Sequence, residues 1–257
     1  MNKTPPAIAT MLNKVPEVTL SFWIIKILST TVGETGADYL SVNAGLGTLY
    51  TDLIMAAFLL LSLLAQMRLK RFVPWVYWLT VVLLSVVGTQ ITDALTDGMG
   101  VSLYLSTAVF GIVLAAVFGI WYRSERTLSI QSIVTRRRES FYWTAILLTF
   151  ALGTAAGDLA TEELSLGFRL GVLVFGGLIA MTYIAFRRRA SSVLVFWLAY
   201  VLTRPLGASL GDFLSQSPEY GGIGLGTVAT SLVFLAAIAS LVALVSRAPG
   251  RMALRRD

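Results

Sequence analysis

Hydrophobic residues occur in this chain as long continuous runs, and polar residues are confined to the short stretches between them. Each run is close to the ~20 residues that an α-helix needs to cross the hydrocarbon core of a bilayer. A membrane β-barrel would instead show segments of about ten residues with alternating polarity. The pattern therefore predicts eight membrane-spanning helices, near residues 18–40, 46–65, 72–94, 103–122, 141–160, 166–186, 193–214 and 225–246.

A spaced set of three residue types divides these runs into four repeats. In each repeat a tryptophan is followed ten residues later by a glycine, and an aspartate follows five residues after the glycine. The chain contains only 6 tryptophans, so chance is a poor explanation for four matches. Self-similarity of this kind is typical of a repeat architecture. The residues are Trp23, Gly33 and Asp38; Trp78, Gly88 and Asp93; Trp143, Gly153 and Asp158; and Trp197, Gly207 and Asp212.

Each repeat contains two predicted spans, and this even number has a consequence for symmetry. All four repeats cross the membrane in the same direction, which predicts pseudo-symmetry about an axis along the membrane normal. We therefore expect an all-α membrane protein with eight transmembrane helices, arranged as four parallel two-helix repeats. It forms a single transmembrane domain over residues 1–257, with repeats at approximately 15–65, 71–122, 138–188 and 189–246, and with second helices that begin near Gly47, Gly100, Gly167 and Gly226.

The composition agrees with a membrane protein, and the distribution of basic residues predicts its orientation in the membrane. The chain is 56% hydrophobic and 13% charged, and its mean hydropathy is +0.77. Nearly all the lysines and arginines fall in segments that would lie on one side, whereas the opposite connections, around 41–45, 95–102, 161–165 and 215–224, contain none. The positive-inside rule then predicts that both termini lie in the cytoplasm. The dispersed basic residues favour lipid headgroups over nucleic acid as partners.

Several kinds of chemistry are excluded or disfavoured by the residue types. The chain has no cysteine and no histidine, which excludes disulfides, thiolate chemistry, histidine-ligated metals and histidine-dependent triads. No Walker A pattern occurs. The Gly-Asp pairs at Asp158 and Asp212 lack the fuller pattern of intramembrane aspartyl proteases. We therefore predict that the chain is not an enzyme and uses no cofactor.

The longest connection, residues 123–140, is rich in arginine. A short interfacial helix through Leu128, Ile130, Ile133 and Val134 is one interpretation of this segment. A basic loop that anchors the protein to the membrane surface is the interpretation that we favour.

The arrangement resembles a bacterial integral membrane family that has four tandem copies of a two-span repeat of unknown function, each with a characteristic tryptophan. The matching residues are Trp23, Trp78, Trp143 and Trp197, and the match extends from about Val15 to Val245. The resemblance implies the eight-span fold and an inner-membrane location. It implies no reaction and no ligand.

Ionisable residues within the spans are the candidates for function, because they are costly in a membrane. At ~1.5 Å per residue, each repeated aspartate lies about 22 Å beyond its tryptophan, in the outer half of the membrane. One hypothesis places Asp93, Asp158 and Asp212, with Asp38, along an ion or proton path. The other gives them a packing role, because the small residues beside them let helices approach closely.

The first repeat adds further charge to this set. Glu34 precedes Asp38 by one turn, Asp52 follows in the next span, and Lys26 lies two turns before Glu34. Oxygen ligands of this kind suit hard cations or protons. The sequence therefore predicts a metal site formed by Glu34, Asp38 and Asp52. The alternative is a charge-balanced structural network.

Two more cations occur in predicted spans. Arg204 stands directly before Pro205, and Arg169 lies early in the sixth span. With Lys26, they are predicted to balance the carboxylates, although Arg169 could also reach the outer headgroups. The repeated tryptophans and glycines are predicted to pack adjacent repeats together.

The leading hypothesis for function is an inner-membrane transporter. It would export or exchange an inorganic cation, coupled to protons, through a carboxylate-lined central path. The alternatives are a passive cation channel and a membrane scaffold or sensor that transports nothing. Expected partners are the lipid bilayer and an inorganic cation or proton, and the sequence leaves open whether the chain forms a homo-oligomer. The path residues would be Glu34, Asp38, Asp52, Asp93, Asp158 and Asp212.

Overall fold

The computed structural model describes residues 13–42, 48–188 and 190–247, without the side chains of Asp38, Ser41 and Val42. Within these residues the protein consists of eight long helices and short connections, and contains no strand. The helices are α1 (Leu20–Val42), α2 (Thr48–Arg68), α3 (Pro74–Asp93), α4 (Leu103–Glu125), α5 (Arg136–Asp158), α6 (Phe168–Arg187), α7 (Ser192–Ser215) and α8 (Thr227–Arg247).

Seven of these helices are long and apolar enough to cross a membrane. They are α2 to α8, with α3 and α5 extended by one further turn each, to Gly98 and Glu163. The first helix carries Lys26 and Glu34 among its apolar residues and is not one of the seven. The chain is therefore a multi-pass helical membrane protein, as predicted.

Local sequence explains where the helices begin. Pro74 occupies the first turn of α3, where its missing N–H costs no hydrogen bond. The side chain of Ser102 caps α4 by accepting a hydrogen bond from the backbone N–H of Leu105 at 3.3 Å. Gly100, Gly167 and Gly226 precede α4, α6 and α8 with φ angles of 68° to 80°. Because side chains disfavour this left-handed region, glycine recurs at the start of the second helix. The equivalent Gly47 lies outside the described residues.

The four helices that carry the repeated tryptophans form a closed ring. Helix α1 packs against α3 and α7, and α5 packs against the same two helices. The other four helices lie outside this ring, and each packs mainly against the inner helix of the following repeat. Thus α2 contacts α3, α4 contacts α5, α6 contacts α7, and α8 returns to contact α1. The last repeat is therefore joined to the first.

One glycine contact recurs at every junction of the inner ring. The glycine ten residues after each tryptophan meets the residue seven after the tryptophan of the next repeat. A Cβ atom at any of these glycines would overlap its partner, so only glycine permits this approach. The pairs are Gly33 with Ser85, Gly88 with Phe150, Gly153 with Arg204, and Gly207 with Thr30.

Burial separates the two sets of helices. In the spans of α3, α5 and α7, between 56% and 61% of the residues are buried, whereas the outer helices have only 11% to 17% buried. Exposed residues of the outer helices include Leu60, Ile112 and Leu232. Because a bilayer is as apolar as these side chains, this surface suits contact with lipid.

The connection between α4 and α5 differs from both interpretations of its sequence. It contains only one 3₁₀ turn, Ile130–Ser132, and no interfacial helix. Ile130 and Ile133 are buried in the main hydrophobic core, so the segment is more than a surface anchor. Its apolar side chains fill space between helix ends, which a solvated basic loop would leave open.

The N-terminal segment joins this connection at the same end of the bundle. The ammonium group of Lys14 lies 2.5 Å from a carboxylate oxygen of Glu139 and donates to the carbonyl of Met67 at 3.3 Å. The backbone N–H of Lys14 donates to the carbonyl of Ile133 at 3.1 Å. These contacts hold the end of α2, the start of α5 and the α4–α5 connection together.

The ring contacts predict opposite effects for two glycine substitutions. Gly207→Ala should destabilise the protein by ~1–3 kcal/mol, because the added methyl group overlaps Thr30. Gly119→Ala is the matched control: its Cβ meets open space in α4, so the higher helix propensity should leave stability unchanged or raise it by ~0.5–1 kcal/mol. Thermal unfolding in detergent measures both. Equal melting temperatures for the two variants would contradict the ring packing.

Candidate functional site

Side chains of the four inner helices meet in four layers along the centre of the ring. The layers lie one residue before the tryptophan and three, seven and eleven residues after it, which is one face of each helix. All members are buried, at most 8% exposed. The axial layers are, in order, Phe22, Tyr77, Tyr142 and Phe196; Lys26, Val81, Ile146 and Tyr200; Thr30, Ser85, Phe150 and Arg204; and Glu34, Thr89, Thr154 and Ala208.

Contacts join the layers both between neighbouring helices and across the ring. The hydroxyl groups of Tyr77 and Tyr142, on the neighbouring helices α3 and α5, lie 2.6 Å apart. Lys26 on α1 reaches the ring of Phe150 on α5, although α1 and α5 are not neighbours in the ring. The carboxylate-lined path along the axis stays a prediction.

Arg204 is the centre of the polar network. It is fully buried, and its guanidinium donates to a carboxylate oxygen of Glu34 and to the hydroxyl of Thr89. It also donates to the hydroxyl of Thr154 and to the carbonyl of Thr30, each at 3.0 Å. One side chain of α7 thus contacts all three other inner helices. The five N–H donors of arginine make such a network feasible, and Glu34 supplies the compensating charge.

Glycines position this ion pair from both sides. A Cβ atom at Gly153 would lie 2.5 Å from that of Arg204, and one at Gly157 would lie 3.3 Å from that of Pro205. On the other side, a Cβ atom at Gly211 would lie 3.3 Å from that of Glu34. Close helix approach therefore determines where the two charges meet.

Lys26 lies one layer away from Arg204. Its side chain is 1% exposed, and its ammonium nitrogen lies 4.0 Å from the ring centroid of Phe150 and 4.4 Å from that of Tyr200. Within the described part of the chain this nitrogen has no hydrogen-bond partner. Aromatic faces attract a cation, so these rings replace part of its lost hydration. Arg204 also opposes a positive charge on Lys26, because two cations repel each other.

A group of acidic residues lies beyond Arg204, at the end of the ring away from the repeated tryptophans. Asp158 interacts electrostatically with Glu34, Asp93 and Arg204. Both α3 and α5 continue past their aspartates as π-helical turns, Ala94–Gly98 and Leu159–Glu163, a geometry that is frequent at functional sites. Arg204 therefore has Glu34 as its ion-pair partner, and Asp158 is a more distant acidic neighbour.

Two acidic residues of this group are not among those predicted from the sequence. Glu162 interacts electrostatically with Glu34 and with Asp97. Each of the two follows a repeated aspartate by four residues, Asp97 after Asp93 and Glu162 after Asp158. That shared spacing is the signal that could have identified them.

The remaining predicted residues differ in exposure, and one of their side chains is not described. Asp52 is partly buried near the start of α2, Asp212 is buried in α7, and Arg169 is exposed at the start of α6. The side chain of Asp38 lies outside the described part, so the metal site of Glu34, Asp38 and Asp52 stays a prediction. Among the side chains that are described, no group of three acidic residues is close enough to hold a metal ion.

The repeated tryptophans lie at the end of the ring where the N-terminal segment packs. Trp197 donates its indole N–H to the carbonyl of Leu128 at 3.0 Å. Its ring also packs edge-on to Trp121, a residue not singled out from the sequence, with 5.9 Å between centroids. Trp23 packs against Phe196 of the preceding inner helix, at 5.7 Å. These tryptophans therefore join elements of different repeats.

The family described as Repeat of Unknown Function (DUF347) matches the chain four times, at residues 21–72, 76–127, 141–191 and 195–250. The chain belongs to this family. Each DUF347 repeat supplies one inner and one outer helix, and the family that the sequence resembles is thereby confirmed. No curated protein and no solved structure matches this DUF347 chain.

The ion pair predicts a characteristic pattern of stabilities. Arg204→Met and Glu34→Gln each leave one buried charge without its partner and should each cost ~3–5 kcal/mol. The double variant removes both charges and should lose less than either single variant. A double-mutant cycle, measured by unfolding in detergent, gives this coupling.

The control for this cycle is Arg137→Met, which removes an exposed ion pair with Glu125 at 3.7 Å. It should change stability by no more than ~1 kcal/mol. Additive losses in the Arg204 and Glu34 double variant would show that the two side chains do not depend on each other.

Proposed function

We propose that this DUF347 protein is an integral inner-membrane transporter that couples protons to the export or exchange of an inorganic cation. The observation that supports this most strongly is the position of Arg204. Its charge is buried at the centre of the bundle, paired with Glu34, and within electrostatic range of a second carboxylate, Asp158.

The cost of these charges favours a functional role over simple packing. The inner ring already has a packing solution in its recurring glycine contacts, and apolar residues at the axial layers would pack without any desolvation penalty. Ionisable groups that face the interior of a membrane bundle mark ion or proton paths by default. Lys26, Arg204 and Glu34 all face that interior.

Exchange of partners by Arg204 is the central step of the proposed mechanism. When Glu34 takes up a proton or a cation, its attraction for Arg204 falls, and the guanidinium moves towards Asp158. Release from Glu34 restores the original pair. Such an exchange between two discrete pairings is the kind of two-state element on which coupling depends.

The buried layers can be compared with the two alternative functions, a passive cation channel and a scaffold or sensor. A permanently open cation channel requires a continuous path, whereas the side chains of the four layers are buried and Lys26 contacts Phe150 across the ring. This favours a protein that opens and closes during transport. A scaffold or sensor would use the Arg204 network only to hold the repeats together, and the double variant described below distinguishes it from a transporter.

We also propose eight spans with pseudo-symmetry about the membrane normal and both termini in the cytoplasm. Three observations support this arrangement. Each DUF347 match contains two helices, the same glycine contact recurs at four junctions, and α1 lies in the inner ring with three helices that qualify as spans.

The topology can be tested directly because the chain has no cysteine. Single substitutions Met99→Cys, Ser165→Cys and Tyr220→Cys place a thiol at exposed sites that should face outwards. A membrane-impermeant maleimide should label them in intact cells. Arg126→Cys and Arg188→Cys, also exposed, should react only after permeabilisation. Labelling of both sets in intact cells would contradict the orientation.

Ion flux provides the test of transport. Proteoliposomes containing a pH-sensitive dye should show proton movement when a gradient of the transported cation is imposed, with monovalent and divalent cations tried in turn. Glu34→Gln and Asp158→Asn should reduce this signal to that of protein-free liposomes. Glu219→Gln is the matched control, because Glu219 is exposed in the connection before α8, and it should retain the signal.

The double variant Glu34→Gln/Arg204→Met separates transport from a structural role. It should fold more stably than either single variant, because both members of the buried ion pair are neutralised together, and yet carry no coupled flux. Flux that persists in this folded variant would remove the ion pair from the mechanism. If no cation of the panel drives proton movement with the wild-type protein, the transporter proposal is wrong and the scaffold is favoured.

A further inference from the structure

The end of the bundle that holds Lys14 and the repeated tryptophans contains four equivalent positions. Each lies between the end of an outer helix and the starts of inner helices. At one of them, the α4–α5 connection occupies the space: Trp197 donates to the carbonyl of Leu128, and Ile130 is buried. At another, Lys14 bonds to Met67 and Glu139 and occupies the space next to α2 and α5. Residues of the described part of the chain therefore fill two of the four positions.

Within residues 13–42, 48–188 and 190–247, the other two positions are cavities. One, of about 560 Å³, lies between the end of α6, the starts of α7 and α1, and residues 128–131 of the α4–α5 connection, which form one of its walls; we call it the α6 crevice. The second, of about 470 Å³, lies between the end of α8 and the starts of α1 and α3. It includes Glu17 in its lining, whereas the α6 crevice has no charged residue in its lining. Residues that line the α6 crevice include Leu20, Trp23, Tyr183, Phe186, Val193 and Phe196.

Positive charge lies next to the α6 crevice. Arg187 and Arg188 directly follow Phe186, and both are exposed. None of the ion pairs in the described residues uses either of them. An apolar cavity beside two unpaired guanidinium groups, at the tryptophan-rich end of a membrane bundle, matches the chemistry of a lipid with an anionic headgroup.

We propose that the α6 crevice binds an anionic phospholipid, with one acyl chain against Trp23, Phe186 and Phe196 and the phosphate bound by Arg187 and Arg188. The position that the α4–α5 connection fills shows how a repeated tryptophan can bind a carbonyl group at this end of the bundle. There, the repeated tryptophan donates its indole N–H to a backbone carbonyl. In the α6 crevice the equivalent residue is Trp23, and an ester carbonyl of the lipid is the equivalent acceptor. The proposal does not depend on whether the chain transports ions.

Lipid binding can be measured by native mass spectrometry on the full-length, delipidated protein in detergent. Phosphatidylglycerol and phosphatidylcholine with identical acyl chains are the probes. One phosphatidylglycerol per chain should remain bound, with an affinity roughly 25-fold above that of phosphatidylcholine, because each basic residue contributes roughly fivefold. Equal affinity for the two lipids would overturn the proposal.

Arg187→Gln/Arg188→Gln should abolish the preference for phosphatidylglycerol and leave phosphatidylcholine binding unchanged. The matched control is Arg123→Gln/Arg136→Gln, which removes the same charge from exposed sites outside the crevice and should keep the preference. An equal loss in both double variants would indicate general surface charge and would overturn the assigned site.

A third measurement locates the acyl chain. Phosphatidylglycerol with brominated acyl chains should quench tryptophan fluorescence more in the wild-type protein than in Trp23→Phe, and Val193→Trp, which fills the crevice, should prevent lipid binding. If Val193→Trp fails to fold, the Trp23→Phe comparison still decides. Equal quenching in wild type and Trp23→Phe, or a lipid-free dimer in place of the lipid adduct, would overturn the proposal.

Discussion

The charge of Arg204, buried in the interior of a membrane bundle, is the constraint on which the rest of the structure depends. Neither lipid nor apolar side chains can compensate a guanidinium, so every acceptor must come from the protein. The acceptors come from α1, α3 and α5, one or more from each. The positions of all four repeats are therefore coupled through one side chain, and a shift of any inner helix breaks a hydrogen bond to a buried charge.

The four repeats share the same helix packing, and the residues that differ between them form the buried ion pair. Gly33, Gly88, Gly153 and Gly207 make the same contact at each junction. The residues that they meet are, in the same order, a serine, a phenylalanine, an arginine and a threonine. Equivalent positions therefore carry different side chains. The ion pair joins the fourth repeat to the first, 170 residues apart in the chain. It forms because α7 and α1 are neighbours where the ring closes.

Much of the fold was predictable because its signals are local. Continuous apolar runs located the eight helices to within a few residues, and the spacing of tryptophan, glycine and aspartate located the repeats. The burial of part of the α4–α5 connection was not predicted, because its many arginines resemble those of a surface loop. Burial of Ile130 and Ile133 depends on a space between helix ends, and hydropathy along the chain carries no information about such a space.

The sequence by itself determined the membrane class, the number of repeats, and the side chains that carry charge within the spans, since each follows from residue types at regular spacing. Only the tertiary structure decided that Arg204 pairs with Glu34, and that Lys26 lies against the rings of Phe150 and Tyr200. Spacing fixes which face of its own helix a residue occupies. The partner it meets depends on how the helices are arranged around the ring, which packing and charge compensation across all four repeats determine together.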